Sequence, residues 1–521
     1  MRTCYPVSLF TVAAVLGLAI HFDGGNRALG QDALPTFQPP QGERLSQEGA
    51  WESWHVDGLT LSRRVIQLVA KSEAQPALST QLIPNRFQRK DGNAAVHYLQ
   101  AMGFLEQSFA LKRKLEFELE NSEHARAEGV SVMELPPHVW RETRPQDLPI
   151  EEVQQYLAHT SFQPHYLALA AQYRQCDFNR NIREVDDPVG FLLPEVQSMR
   201  GLARLQSLRF LLAMAEDRPH DAVAIFGQQL AMAAHLSHDP FVVSALVGLA
   251  CANIGWADAF YLCEHPEAPN LYWAIATLPS PLVDMSLAMS YERELLFEQF
   301  KPLRDVDLTP RSTLYWTRFV DGSFDFMNEY FADTGIGSER TEAEWTLAIA
   351  AGYPGAKRYL HEVEKIEIAD LDRLPNTQVF FLAVKKFYER QRDELFKLTA
   401  LPAWKRAEFG QRANEDLRKD MREFGFIAQP SDFFLPAVQA VMSAQTRSQQ
   451  AFALLQTVEA IRHHLARNAN ALPETLDQLE LPAPLDPGTG KPFSYQRHDQ
   501  GATLTGSPHP GLQYQFELRV N

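Results

Sequence analysis

The stretch HLSHDPFVVSALVGLACANIGWADAFYLCEHP, His235–Pro266, joins a His-x-x-His-Asp cluster to a run from Phe241 to Cys263 whose only charge is Asp258. Three structures fit such a sequence: a metal site, a membrane span, or a helix enclosed by other helices. The run has bilayer length, since a spanning helix needs ~20 apolar residues. Ser244, Asn253 and Asp258, however, are costly in lipid, and no cluster of Lys or Arg flanks the run to orient it. Ser244, Gly248 and Ala252 lie four apart, so one face is small enough for a neighbouring helix to approach closely. A fully buried central helix accounts for all of this without a bilayer, and the fold class follows from it.

The segments on either side repeat the helical signal. In Pro194–Glu216, Val196, Met199, Leu202, Leu205, Leu208 and Leu212 recur at spacings of three or four, with Arg200, Arg204 and Arg209 elsewhere on the circle. The break DRPHD, Asp217–Asp221, leads into AVAIFGQQLAMAAHL, and the pair resembles a single tetratricopeptide-type hairpin. That repeat's Trp, Leu-Gly and Tyr positions are not filled, and no copy follows at a fixed period of about 34 residues. Beyond it, Pro279 stops a helix, and Ser280 with Pro281 supplies a cap and a first helical residue for the next. Asn376–Leu398 is amphipathic, with Arg390/Glu394 and Asp393/Lys397 pairs marking a solvated face. A long Pro-free helix from Pro436 to Arg467 then leads to short runs, FSYQ, ATLTG and YQFELRV, separated by turn residues. The expected fold is therefore mostly α: packed helical hairpins, irregular and solenoid-like, with a small C-terminal α+β module.

Composition bounds the rest. A chain of 521 residues, 45% hydrophobic, is long enough for two or three domains. Its net charge of −16 opposes a phosphate-neutralising surface, so no nucleic-acid partner is expected. At the N-terminus, Arg2, an apolar run from Val7 to Ile20 and the small-x-small Ala28-Leu29-Gly30 read as a signal peptide cleaved before Gln31. Export from the cytoplasm to the periplasm or medium is the expectation, with no membrane contact after cleavage. Cys176, Cys251 and Cys263 then remain, too few for a disulfide framework. On one helix, twelve residues separate Cys251 from Cys263 by ~18 Å, so at most one of them can pair with Cys176; the plainer reading is three buried thiols. The chain divides by pattern into a signal peptide (1–30), a Pro- and Gln-rich tether (31–50), a helical-hairpin domain (51–300), a second helical region (301–435), and a long helix plus small antiparallel sheet (436–521).

The chemical candidates are few. His235 and His238 could face one metal with Asp239 as third ligand, the usual protein contribution to a catalytic zinc. The same residues also read as the last turn of one helix followed by an Asp239 N-cap and Pro240 at N1. No His-Glu-x-x-His, Cys-x-x-Cys, G-x-S-x-G, G-x-x-x-x-G-K-[ST] or G-x-G-x-x-G accompanies them. Glu292, Glu294 and Glu298, or His361 with Glu362 and Glu364, furnish acid/base pairs only if a cleft gathers them. His463 and His464 point about 100° apart on a helix, which disfavours joint ligation.

SALVGLACANIGWADAFYLCEHPEAPNLYWAIATLP, YPGAKRYL and FYERQRDELFKLTALPAW together resemble a group of secreted, mostly helical bacterial proteins. That resemblance spans much of Arg86 to Ala407 and implies a shared fold and export, with no activity attached. AIRHHLARNANALPETLDQLELPAPLDPGTGKPFSYQ resembles the globular end of type II secretion pseudopilins, where a helix leads through a Pro-Leu segment and an Asp-Pro-Gly turn to a small sheet. The family's N-terminal apolar helix and prepilin motif have no counterpart here, and its calcium site would fall on Asp486 alone. The expectation is an exported, non-enzymatic helical scaffold or binding protein of the cell envelope, partnered by another envelope protein or macromolecule and needing no cofactor. The alternative is a metal-dependent hydrolase using His235, His238 and Asp239.

Overall fold

The computed structural model describes residues 43–48, 50–56, 58–103, 135–185, 191, 193–322, 341–428, 431, 436–509 and 511–520. The expected signal peptide and the first part of the tether lie outside the described residues. Strands β1 (Glu43–Glu48), β2 (Trp51–Val56), β3 (Leu59–Leu68) and β4 (Lys90–Asn93) come first, then helices α1 (Ala95–Met102), α2 (Ile150–Ala158) and α3 (Gln163–Ala170) and strand β5 (Tyr173–Gln175). The long helices follow: α4 (Pro194–Ala215), α5 (Pro219–Leu236), α6 (Val242–Cys263), α7 (Ser286–Gln299), α8 (Glu342–Glu362), α9 (Asn376–Phe396), α10 (Ala403–Phe424) and α11 (Pro436–Arg467). Strands β6 (Ser494–His498), β7 (Gly501–Thr505) and β8 (Leu512–Val520) close the chain. The protein is mostly α with a small α+β module, as the periodicity implies.

Local chemistry sets the helix starts. Pro194 and Pro219 occupy the first turns of α4 and α5, where a missing N–H leaves no bond unmade. Thr341 and Glu344 form a reciprocal capping box on α8: the Thr341 hydroxyl accepts from Glu344 N at 3.3 Å and the Glu344 carboxylate accepts from Thr341 N at 2.7 Å. Helix α7 departs from expectation. It begins at Ser286 rather than Pro281, because Val283 and Met285 are buried ahead of it and Asp284 Oδ1 accepts from Ser286 N at 2.9 Å.

The helix read as central is central. α6 packs against α4, α5 and α11, and although long and apolar enough to cross a bilayer, it has 72% of its apolar window buried inside the protein. Its small-residue face is what admits α5: a Cβ on Gly248 would lie 2.8 Å from the Ala233 carbonyl oxygen. Asp258, the run's lone charge, is held away from water, which pushes its pKa up to about 7 against the opposing pull of Ser207, Arg141 and Arg64. Cys176, Cys251 and Cys263 are buried free thiols.

Two apolar cores share the same spine. α4, α5, α6 and α11 each put one half into a core containing α1, α7, α8 and α9, and the other half into a core closed by the sheet. The divisions expected at 300 and 435 therefore do not separate cores, since long-range packing draws residues 94–306 together with 316–444. The sheet is also larger than expected and mixed. Its order is β1-β2-β3-β8-β7-β6, and β3 pairs with β8 in parallel from Thr60↔Leu512 to Leu68↔Val520. The expected antiparallel C-terminal sheet is thus completed by the N-terminal strands, and the boundary of the tether at 50 falls after a paired strand. Ile66, Leu68, Phe516 and Leu518 are buried in the sheet-side core with Trp256 and Phe260 of α6, with Phe260 and Phe516 ring centroids 4.8 Å apart. Arg64, wholly buried among them, donates to the Ala257 carbonyl at 2.7 Å and stacks 4.2 Å over Tyr261.

Candidate functional site

The α5–α6 turn gathers His235, His238 and Asp239 beside a cavity of about 350 Å³. The cavity's outer wall is the loop Asp177–Glu184, which follows β5; the parallel pairing of β5 with β4 fixes where that loop begins. Asn93 pins it further, donating to the Asp177 carbonyl at 2.6 Å and accepting from Asp177 N at 2.9 Å. Asn179 and Asn181 adopt left-handed backbone, φ 52 and 46, which Asn tolerates better than most residues. Between them Arg180 turns inward.

Hydrogen bonds account for each candidate ligand. His235 Nε2 meets the Tyr173 carbonyl at 3.0 Å, and a carbonyl only accepts, so this nitrogen carries the proton. Nδ1 then accepts from the Tyr98 hydroxyl at 2.8 Å. The ring is 5% exposed, and burial, helped by His238 and Arg89, lowers its pKa to about 4. His238 accepts from Cys176 N at its Nδ1, 3.2 Å, and burial and Arg89 lower its pKa as well. Asp239 Oδ1 accepts from Phe241 N at 3.0 Å, and Oδ2 accepts from Arg180 Nε at 2.5 Å. Burial raises the Asp239 pKa while Arg180 pulls it down. Arg180 also pairs with Glu195 at the start of α4, which leaves its Nη2 without a partner among the described residues.

The three residues are thus brought together, and the metal-ligand reading is corrected by their bonding. His235 has no lone pair left, and Asp239 faces a guanidinium. Among the described residues no group of three or more His, Cys, Asp or Glu is arranged to hold a metal ion. The expected cap is also corrected: α6 starts at Val242 with Phe241 as its N-cap and no side-chain cap bond, and Asp239 instead closes a local turn by accepting from Phe241 N. The arrangement is a clasp that ties α5, α6, the Asp177–Glu184 loop and α4 into one unit. Tyr98, Arg180 and Glu195, its other members, carry no local sequence signal that marks them.

The remaining candidates are dispersed. On α7, Glu294 approaches Arg392 at 3.7 Å and Glu298 meets Arg304 at 2.6 Å, while burial pushes the Glu292 pKa up to about 7. His361 Nδ1 bonds the Ile366 carbonyl at 3.0 Å, and Glu364 accepts from the Tyr359 hydroxyl at 3.0 Å. His463 accepts from Glu73 N and His464 meets Glu480, both at 3.0 Å, on different sides of α11. Asp486 organises its own turn: Gly488 N and Ser507 N donate to it at 2.8 and 2.7 Å, and Gln450 Nε2 at 3.0 Å.

The chain matches no protein-family model, no curated protein and no solved structure.

Proposed function

We propose that the protein is an exported, non-enzymatic helical scaffold of the cell envelope that binds another protein or macromolecule. The observation that carries this reading is the bonding of His235, His238 and Asp239: side chains suited to metal-assisted hydrolysis instead fasten a helix turn. Export rests on the signal-like residues 1–30. A contact region is offered where α10 meets the turn after Leu485. Trp404 remains 46% exposed while its ring lies against Gly490, and Leu485 is 55% exposed. A partly exposed Trp seated on a glycine turn is the kind of anchor that carries much of the energy of protein interfaces.

The test is cross-linking in the native host with a photoreactive phenylalanine analogue placed at Trp404. One discrete adduct in the envelope fraction, retained by a His235→Gln/His238→Gln protein, is expected. A chain confined to the cytoplasm overturns the reading, as does a purified protein that hydrolyses a substrate in a His235-dependent manner.

A further inference from the structure

A second and larger cleft, about 590 Å³, opens where α7, the end of α9, α10 and α11 converge. Its size falls in the ~300–1,000 Å³ range of sites that hold small ligands. Five buried side chains form its floor: Met285, Met289 and Met442, with Phe396 and Val441. Three thioethers in one wall make a polarizable surface that adapts to an aliphatic body better than a wall of branched side chains.

The rim carries Arg293, Lys397 and Arg406 together with the carboxylates Asp284 and Asp393, and its charges are unequally satisfied. Arg293 pairs with Asp393 at 2.9 Å, and Lys397 pairs with Glu394. Arg406 differs. Its Nε donates to the Leu401 carbonyl at 2.9 Å, but its Nη1 is screened from water and has no partner among the described residues. Partial burial also lowers its pKa, the signature of a cation whose charge lacks compensation. A buried donor left without a partner is costly, and more so when charged, so an anion placed at this position is stabilised by a bond that no described protein group makes. The site therefore presents an apolar floor with one unsatisfied guanidinium at its edge.

We propose that this cleft binds a single-chain amphiphilic carboxylate, its aliphatic chain on the methionine floor and its carboxylate on Arg406. With Nε held by the Leu401 carbonyl, the head contact is a charge-assisted hydrogen bond to the donor that Arg406 leaves unpaired. A neutral alcohol of the same chain gains the floor and loses the head contact, and a cationic amphiphile finds no partner in Arg406. This site shares no residue with the α5–α6 clasp and does not depend on the scaffold reading.

The experiment is equilibrium dialysis of the full chain against decanoate, decanol and decyltrimethylammonium. It uses the native protein, Arg406→Gln, and Ser290→Trp, which adds bulk at the exposed rim and leaves the floor untouched. Saturable one-site binding of decanoate is expected, weakened about tenfold or more in Arg406→Gln, as loss of a charged hydrogen bond implies. Decanol binding should be unaffected by Arg406→Gln, and both ligands should be lost from Ser290→Trp. Circular dichroism confirms that both variants are folded. The proposal is overturned if decanoate shows no saturable binding, if Arg406→Gln binds it as tightly as the native protein, or if the cation binds equally well.

Discussion

Replacing His235 by Gln separates the histidine's titration from its hydrogen bonds. A Gln amide can still donate toward the Tyr173 carbonyl and accept from the Tyr98 hydroxyl, but it takes up no proton. In the native protein burial lowers the His235 pKa from 6.5 to about 4, with His238 and Arg89 adding to the effect. The folded state therefore refuses a proton that the unfolded chain accepts. Its stabilising contribution is complete above pH 6.5 and is lost as pH falls toward 4. A shift of this size corresponds to about 3 kcal/mol over the whole transition, and to about 2 kcal/mol between pH 7 and pH 5. His238 is shifted in the same direction but remains in both proteins, so it largely cancels in the comparison. Urea unfolding followed by tryptophan fluorescence at pH 7 and pH 5 reads the difference. The native protein should lose about 2 kcal/mol more than His235→Gln between the two pH values. Equal slopes would refute the argument, because they would mean that His235 is protonated in the folded state or has water within reach.

Other perturbations test other parts of the fold. Gly248→Val should destabilise by about 3 kcal/mol or more, since even its Cβ would lie 2.8 Å from the Ala233 carbonyl oxygen; a melting temperature unchanged from native denies the close approach of α5 and α6. Asp258 is an acid with a raised pKa, so the stability it withholds grows as pH rises toward and through 7. Asp258→Asn should accordingly melt higher than the native protein at pH 8, with the advantage shrinking toward pH 5. Glu459 and Arg462 form a fully buried pair, Nη1 to Oε2 2.9 Å. Glu459→Leu should cost about 3–5 kcal/mol, and much of it should return in Glu459→Leu/Arg462→Met; a double variant as weak as the single one speaks against an ion-pair origin. Cys176, Cys251 and Cys263 are buried, and burial raises all three thiol pKa values, so iodoacetamide should label none of them until denaturant is added, as mass spectrometry can read.

The sequence yields the helices and the three C-terminal strands but conceals the N-terminal half of the sheet, for a physical reason visible in β3. A half-buried strand announces itself by alternation, but LTLSRRVIQL changes phase at Arg63-Arg64: Leu59 and Leu61 fall on one face, Ile66 and Leu68 on the other. The position that would keep the inward alternation apolar is Arg64, which is tolerated there because aromatic faces and the Ala257 carbonyl receive its guanidinium. Its partner strand, β8, lies at the opposite end of the chain, so no local pattern could have matched the two. α6 has neither problem. Its signal is one long run with a single charge and a small-residue face, and both features are local.

The same distinction governs the site. Spacing within HLSHDP correctly brings His235, His238 and Asp239 to one turn, and a metal site and a structural clasp both begin from that proximity. What separates them is the use of each lone pair, and that is decided from far along the chain. Tyr98 reaches His235 across 137 residues, Tyr173 reaches it across 62, Cys176 reaches His238 across 62, and Arg180 reaches Asp239 across 59. A ligand set needs free electron pairs converging on one point, whereas here each named pair points at a different donor. Short-range sequence spacing can nominate ligands, but only the long-range hydrogen-bond account shows whether they have anything left to give.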